Sequence, residues 1–203
     1  MKKEKYFQLS QTAVEKLAAE FGTPLLVLSL KEVKKSYNVL RKYLPRVKVH
    51  YAIKANPHPE ILRVLAELGS CFDVASDGEI HTLHDMGVAG SRLSYAHPVQ
   101  LGVGLEACRQ CGVSKMTFDS ASEIEKINNK LPHATVLLRL CIDNSSAHVD
   151  LNKKFGASRD NALELMLKAK EAGLDMAGIA FHVGSQTVSS DPYLYAMDIA
   201  REL

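Results

Sequence analysis

The sequence predicts an α/β fold built on a parallel sheet, and three observations lead to that prediction. Short apolar or β-branched runs recur from about residue 47 onward, helical patterns separate them, and serine–glutamate pairs mark several helix starts. Runs that are apolar on both faces are typical of a buried parallel sheet. A doubly wound sheet and a (β/α)8 barrel both satisfy this pattern, but a barrel takes roughly 250 residues and eight units. With 203 residues and about six units, the chain would supply an incomplete barrel.

The strands and helices follow one another in chain order. The predicted strands are VKVHYAI, CFDVAS, RLSYAHP, KMTFD, TVLLRLCI and GIAFHVGS. Between the first two, PEILRVLAELG repeats apolar residues at helical spacing and ends at Gly69, a residue suited to a left-handed cap. Three residue pairs can satisfy the free N–H groups of helix starts: Ser29 with Glu32, Ser76 with Glu79, and Ser120 with Glu123.

The last helix and the longest connection complete the pattern. DPYLYAMDIAREL predicts a helix with Asp191 as N-cap and Pro192 at the first helical position. Its apolar repeat continues to Leu203, so we expect the chain to stop inside a helix. The connection 143–158 is polar and unpatterned, which is typical of a loop near a functional site.

Composition argues against several classes of protein. A hydrophobic content of 46%, a charged content of 24% and a formal charge of +2 do not favour nucleic acid as a partner. No apolar stretch is long enough to cross a bilayer, and we find no secretory signal. The four cysteines, at positions 71, 108, 111 and 141, are therefore expected to be reduced in a cytoplasmic protein.

Polar residues follow most of the predicted strands. In both candidate architectures, ligands bind at the carboxyl ends of the strands. These ends carry Lys54, Asp73 with Ser76, His97, Asp119, Arg139, and His182 with Ser185. A barrel with a purely structural role needs no such ring of side chains, so we predict a functional site at this edge.

Three of these residues indicate a particular chemistry. At the inner end of a buried strand, Lys54 would lose hydration and become a nucleophilic amine; otherwise its ammonium simply reaches water. His182 precedes a Gly-Ser turn that could bind a phosphate, although a hydrogen-bonded core histidine is equally compatible. Arg139 keeps its charge and needs an anion if buried, either a carboxylate such as Asp73 or a bound phosphate.

Other motifs carry less weight. Cys108 and Cys111 form a C-x-x-C inside a predicted helix instead of at its start, where a thiolate would be activated. His81, His84 and Asp85 have a metal-binding spacing, but no second cluster completes a tetrahedral site, so we predict no metal. The common glycine-rich nucleotide-binding motifs are absent from the sequence.

Five motifs together resemble one family. YAIKANP, LAELGSCFDVASDGEI, SYAHPVQ, MTFDSASEIEKI and FHVGSQ resemble the fold-type III pyridoxal-phosphate decarboxylases, over nearly all of residues 23–203. YAHP and TFDS look more like the bacterial ornithine/lysine branch than like the diaminopimelate decarboxylases. The resemblance implies an alanine racemase-like barrel, a homodimer, and conversion of ornithine or lysine to putrescine or cadaverine in polyamine biosynthesis.

The resemblance also implies roles for individual residues. Lys54 would attach covalently to the aldehyde of pyridoxal 5'-phosphate, His182 would stack on its ring, and Ser185 would contact its phosphate. Asp73 and Arg139 match family positions that give the cofactor polar support. The cofactor would act as the electron sink after CO2 leaves.

The sequence departs from the family pattern in two ways. The family's glycine-rich phosphate loop, the acidic partner of the pyridine nitrogen and the C-terminal β-domain are not found before Leu203. We therefore expect residues 1–203 to form the N-terminal portion of such an enzyme, inactive alone. His97 stands where close relatives usually have asparagine. The alternatives are a diaminopimelate decarboxylase, a non-catalytic homologue like the antizyme inhibitors, and a pyridoxal-phosphate homeostasis barrel, which fits poorly.

Overall fold

The structure is a computed structural model that describes residues 8–142, 154–185 and 187–203. Its contacts divide the chain into two compact units. The first unit consists of Met1–Val49 and Asn56–Ser70, and the second of His50–Ala55 and Cys71–Leu203.

The first unit contains helices α1 (Gln11–Phe21), α2 (Leu30–Tyr43) and α3 (Pro59–Glu67). Helix α3 packs against α2, and the apolar face predicted for α3 is buried at Ile61, Leu62 and Leu65. The helix ends as predicted, since Gly69 has a φ of +84° and the following N–H, of Ser70, bonds back to the carbonyl of Leu65 at 3.0 Å.

The second unit contains six strands and five helices among the described residues. The strands are β1 (His50–Ala52), β2 (Cys71–Val74), β3 (Leu93–Tyr95), β4 (Lys115–Phe118), β5 (Thr135–Leu140) and β6 (Asp175–Phe181). The helices are α4 (Asp77–Asp85), α5 (Gly102–Cys111), α6 (Ala121–Lys130), α7 (Arg159–Glu171) and α8 (Asp191–Glu202). Every predicted strand is present, although β6 begins earlier than GIAFHVGS indicated.

The strands form one parallel sheet in the order β1-β2-β3-β4-β5-β6. A doubly wound sheet reverses its strand order at a switch point, whereas a barrel adds each new strand beside the last. The observed order therefore selects the barrel arrangement, of which the described residues supply six strands.

The two faces of this sheet differ in polarity, because alternate residues of a strand point to opposite sides. One face carries Phe72, Tyr95, Met116 and Leu138, which lie on neighbouring strands and are almost fully buried. The register places a second set on the opposite face: His50, Asp73, Ser94, Thr117 and Arg139. This inner face also carries the apolar residues Ala52, Cys71 and Leu137. A barrel interior is normally packed with branched apolar side chains, so the polar residues among them indicate a binding site.

The predicted helix starts are only partly confirmed. Ser76 caps α4 as expected, since its hydroxyl accepts from the Glu79 N–H at 3.3 Å. The Glu79 carboxylate accepts from the N–H of Ala75, one residue before the N-cap, at 2.7 Å instead of from the N–H of Ser76. Ser29 caps α2 through the N–H of Glu32 at 3.4 Å, but the Glu32 carboxylate turns to a lysine instead.

The prediction for Ser120 and Glu123 was wrong. Ser120 makes no capping bond, and Glu123 is 5% exposed. Its carboxylate accepts the backbone N–H of Gln100 at 3.3 Å and pairs with Lys126 at 2.6 Å. A buried carboxylate needs such partners. The Glu123 carboxylate therefore binds the loop after β3 instead of capping the start of its own helix.

The start of α8 also differs by one position. The N-cap is Ser190, the helix begins at Asp191, and Pro192 lies within the first turn. The predicted loop 143–158 is described only from residue 154 onward, and its earlier part lies outside the described residues.

Candidate active site

Lys54 follows strand β1 directly. The strand ends at Ala52, and Ile53–Ala55 form a single turn of 3-10 helix. The turn buries Ile53 and leaves Lys54 exposed. Of the two alternatives for this lysine, the structure agrees with the one in which its side chain reaches water, because the chain leaves the sheet before it reaches Lys54. Its amine is accessible at the carboxyl edge of the sheet.

Asp73, on β2, is paired with a residue that the sequence did not single out. The Nδ1 atom of His50, on the neighbouring strand β1, lies 3.1 Å from the Asp73 carboxylate, and both side chains are partly exposed. Both residues lie on the inner face of the sheet. His50 precedes Ala52 by two residues and Lys54 by four, so the alternation of strand residues within HYAIKANP could have indicated its orientation.

His182 lies in a turn just after strand β6. Its Nδ1 atom accepts a hydrogen bond from the N–H of Gly184 at 2.9 Å, and Gly184 adopts the left-handed conformation with a φ of +96°. Because Nδ1 accepts this hydrogen bond, it carries no proton, and the ring proton of the neutral imidazole resides on Nε2. Burial lowers the pKa of His182 below its ordinary value of 6.5, and the positive charges of Arg139 and Lys54 lower it further. The ring is therefore neutral at pH 7.

Arg139 lies on the inner face near the end of β5 and is partly buried. Burial lowers its pKa, while the negative charge of Asp119 opposes that effect. The guanidinium carbon lies 5.3 Å from the centroid of the Phe155 ring. Among residues 8–142, 154–185 and 187–203, its guanidinium makes no hydrogen bond or ion pair.

Two further predicted residues have different surroundings. Ser185 follows Gly184 and its side chain is exposed, so its hydroxyl is accessible. Asp119, at the end of β4, accepts the backbone N–H of Gly156 at 2.8 Å. A cavity of about 290 Å³ lies beside it, lined by Asp119, Ser120, Asn161, Glu164 and Leu165. That lining includes none of Lys54, Asp73, Arg139, His182 and Ser185.

The charge balance at this edge suits an anionic aromatic cofactor. Lys54 and Arg139 are both cations near a neutral imidazole. The two carboxylates already have partners, since Asp73 contacts His50 and Asp119 accepts from Gly156. A phosphate would pair with the Arg139 guanidinium or with the turn at Gly184. The neutral imidazole of His182 suits stacking on an aromatic ring, and the primary amine of Lys54 suits reaction with an aldehyde. Pyridoxal phosphate has these three features, and the residues present fit it.

The fold and this edge therefore define a (β/α) barrel of the pyridoxal-phosphate-binding type. Comparison with known proteins identifies the family. The family model described as "Pyridoxal-dependent decarboxylase, pyridoxal binding domain" matches residues 30–203. The chain belongs to this family of pyridoxal-dependent decarboxylases.

Three relatives give a more detailed comparison. The lysine/ornithine decarboxylase of Selenomonas ruminantium is 50% identical over 199 residues, which are 98% of this chain and 51% of that protein. The structure of the Selenomonas lysine decarboxylase in complex with PLP and cadaverine superposes with a TM-score of 0.91 at 47% identity, covering 98% of this chain and 50% of that one. Antizyme inhibitor 2 of Xenopus laevis is 38% identical over 175 residues, 86% of this chain and 38% of that protein. The chain thus spans about half the length of the first two relatives.

Two motifs outside the predicted site have the following surroundings. Cys108 is fully buried within α5, and burial raises its pKa to about 12, so it is not an activated thiol. His81 and His84 are exposed, and no cluster of three or more metal-ligating side chains occurs in the described part of the chain. Within that part, no helix is long and apolar enough to span a membrane.

The sequence reasoning missed the segment that follows the unpatterned loop. Phe155 contacts both Arg139 and His97: its ring centroid lies 5.0 Å from that of His97, with an interplanar angle of 76°. Gly156 and Ala157 form backbone hydrogen bonds to the ends of β4 and β5. The Phe-Gly pair at the end of a polar stretch was the one available signal.

Proposed function

We propose that this chain carries the cofactor-binding portion of a pyridoxal-phosphate-dependent decarboxylase that acts on lysine or ornithine and yields cadaverine or putrescine. The observation that carries the proposal is the position of Lys54, Arg139 and His182 after or near the ends of strands β1, β5 and β6, at the carboxyl edge of a barrel-type sheet, where the first two act electrostatically on the third. The Selenomonas relative supports the choice of substrates, because its name includes both lysine and ornithine.

Each site residue has a proposed role that follows from its surroundings. The accessible amine of Lys54 attaches the cofactor, and the neutral ring of His182 packs on its aromatic face. Ser185 and the turn at Gly184 bind the phosphate, and Arg139 supplies a fixed positive charge that pairs with an anionic group. Asp73 contacts His50 on the inner face and gives polar support there. When bound, pyridoxal phosphate supplies the electron sink for loss of CO2.

A binding measurement tests the cofactor part of the proposal. The 203-residue protein is titrated with pyridoxal phosphate and bound cofactor is followed by absorbance and by equilibrium dialysis, with Lys54→Ala and the matched control Lys48→Ala, an exposed lysine six residues earlier. We expect saturable binding that Lys48→Ala retains and Lys54→Ala weakens at least tenfold. Equal binding by all three proteins would contradict the role of Lys54.

We propose that catalytic activity and subunit assembly are properties of a longer polypeptide that includes residues 1–203. We propose that this polypeptide is a cytoplasmic homodimer, and that residues 1–203 alone do not turn over substrate. Release of CO2 from lysine, ornithine, arginine and diaminopimelate identifies the substrate, and light scattering measures the assembly. Preference for diaminopimelate would contradict the proposed substrate class.

A non-catalytic, partner-binding homologue is the second candidate, because an antizyme inhibitor is among the relatives. A protein with only that role has no need for an accessible lysine beside Arg139 and a neutral His182. Absence of any pyridoxal-phosphate binding in the titration would favour this candidate over the enzyme.

A further inference from the structure

The segment Lys154–Ser158 is fixed across the end of the sheet. Ala157 forms a parallel bridge with Leu140 of β5: its N–H donates to the Arg139 carbonyl at 2.8 Å, and its carbonyl accepts from the Cys141 N–H at 2.9 Å. The N–H of Gly156 adds a 2.8 Å bond to the carboxylate of Asp119, the residue directly after β4. Phe155 directly precedes Gly156, so these bonds place it at the edge of the sheet where Arg139 lies.

Phe155 contacts two polar side chains from other elements. The Arg139 guanidinium lies over its ring at 5.3 Å, within the range of a cation–π contact. His97, from the loop after β3, meets the same ring edge to face at 5.0 Å.

The His97 loop is itself held by a buried residue. Gln100 is fully buried, and its side-chain amide donates to the carbonyls of His97 at 2.5 Å and of Thr117 at 2.6 Å. The Gln100 backbone N–H is bound by the buried carboxylate of Glu123. A continuous series of contacts therefore runs from the interior through Gln100 and His97 to Phe155 and Arg139.

We propose that Phe155 is a positioning residue: its ring holds the Arg139 guanidinium toward the carboxyl edge of the sheet, and the edge-to-face contact with His97 holds the ring. A long arginine side chain without a hydrogen bond or ion pair to the described residues can adopt many rotamers. The Phe155 ring restricts them without occupying the five N–H donors, and none of the described residues competes with an anion for those donors. That this anion belongs to the cofactor rests on the proposed function.

The titration of His182 tests the proposal without any ligand. The charges that act on its pKa are those of Arg139 and Lys54, and the acidic group that acts on Arg139 is Asp119. Phe155→Leu keeps an apolar side chain and removes the π face, Phe155→Trp keeps the π face, and Arg139→Met removes the charge. The control is Phe21→Leu, an exposed phenylalanine of α1.

The readout is the chemical shift of the His182 ring proton, followed by NMR as a function of pH in all five proteins. Each protein is first shown to unfold cooperatively. We expect Arg139→Met and Phe155→Leu to raise the pKa of His182 toward its ordinary value, while Phe155→Trp and Phe21→Leu leave it at the wild-type value. An unchanged pKa in Phe155→Leu, with a raised pKa in Arg139→Met, would overturn the proposal. A pKa raised equally by leucine and tryptophan would also overturn it.

The dissociation constant for pyridoxal phosphate gives the second readout. We expect Phe155→Leu to weaken binding about three- to tenfold and Phe155→Trp to restore it. Unchanged affinity in Phe155→Leu would contradict a role toward the cofactor. Failure of the wild type to bind would contradict the proposed function instead, and the NMR titration would still decide whether Phe155 positions Arg139.

Discussion

The backbone N–H of Gly156 donates to the carboxylate of Asp119 at 2.8 Å. The bond joins the segment after β5 to the end of β4, and Gly156 makes it with a φ of +105°. A Cβ atom at this position would lie 2.5 Å from the backbone nitrogen of Cys141, so both the conformation and the space require glycine. The segment that carries Phe155 is therefore fixed by backbone geometry as well as by hydrogen bonds.

Replacement of this glycine should weaken the fold. We expect Gly156→Ala to lower the free energy of unfolding by about 2–3 kcal/mol, because the left-handed backbone and the close contact with the end of β5 are both disturbed. Urea unfolding of the wild type and the variant measures the change. Gly102→Ala is the control, since nothing lies within 4 Å of a Cβ at the start of α5. A loss below about 0.5 kcal/mol in Gly156→Ala would show that the segment is not held as described.

The contact between His50 and Asp73 should contribute little stability. The two side chains are 22% and 37% exposed, and ion pairs in such positions typically contribute less than about 1 kcal/mol. A double-mutant cycle with His50→Gln and Asp73→Asn, measured by urea unfolding, gives the coupling. We expect about 0.3–1 kcal/mol; a coupling above about 2 kcal/mol would mean that water is excluded from the pair.

The pH dependence of stability should reflect His182. Its pKa in the folded protein is lower than the ordinary 6.5, so the unfolded chain binds the proton first as the pH falls. The contribution of His182 to the free energy of unfolding is therefore fully present above pH 6.5, and it is lost as the pH falls from there toward the pKa of the folded state. We expect the free energy of unfolding to decrease less between pH 7 and pH 5 in His182→Asn than in the wild type. Equal slopes would contradict the lowered pKa.

Glu123 should matter more than its neighbour Glu125 on the same helix. Glu123→Gln weakens the contacts to the Gln100 N–H and to Lys126 inside the protein, and we expect a loss of about 1–2 kcal/mol. Glu125 is exposed, so Glu125→Gln should change stability by less than about 0.5 kcal/mol. Thermal unfolding of both variants measures the difference, and equal melting temperatures would contradict the buried network.

The sequence allowed the strands, the capped end of α3 and a parallel sheet to be predicted, because hydrophobic periodicity and glycine caps are local signals. The choice of a barrel over a doubly wound sheet came from the family resemblance, since strand order is not a local signal. It did not reveal the role of Glu123, since a serine–glutamate pair predicts the same local cap whether or not the carboxylate is drawn to Gln100. It also left the environment of Lys54 open, because the turn after Ala52 depends on how Ile53 is buried. The contacts of Phe155 join positions far apart in the chain and follow no sequence pattern.

Reductive trapping of the cofactor on the protein tests the central claim most directly. The 203-residue protein is incubated with pyridoxal phosphate, treated with borohydride, digested and analysed by peptide mass spectrometry. We expect the mass of one reduced cofactor on the peptide that contains Lys54, saturating at low cofactor concentration, with the other lysines unmodified under those conditions. Modification spread over exposed lysines, with no preference for Lys54, would contradict the claim that Lys54 is the residue that carries the cofactor.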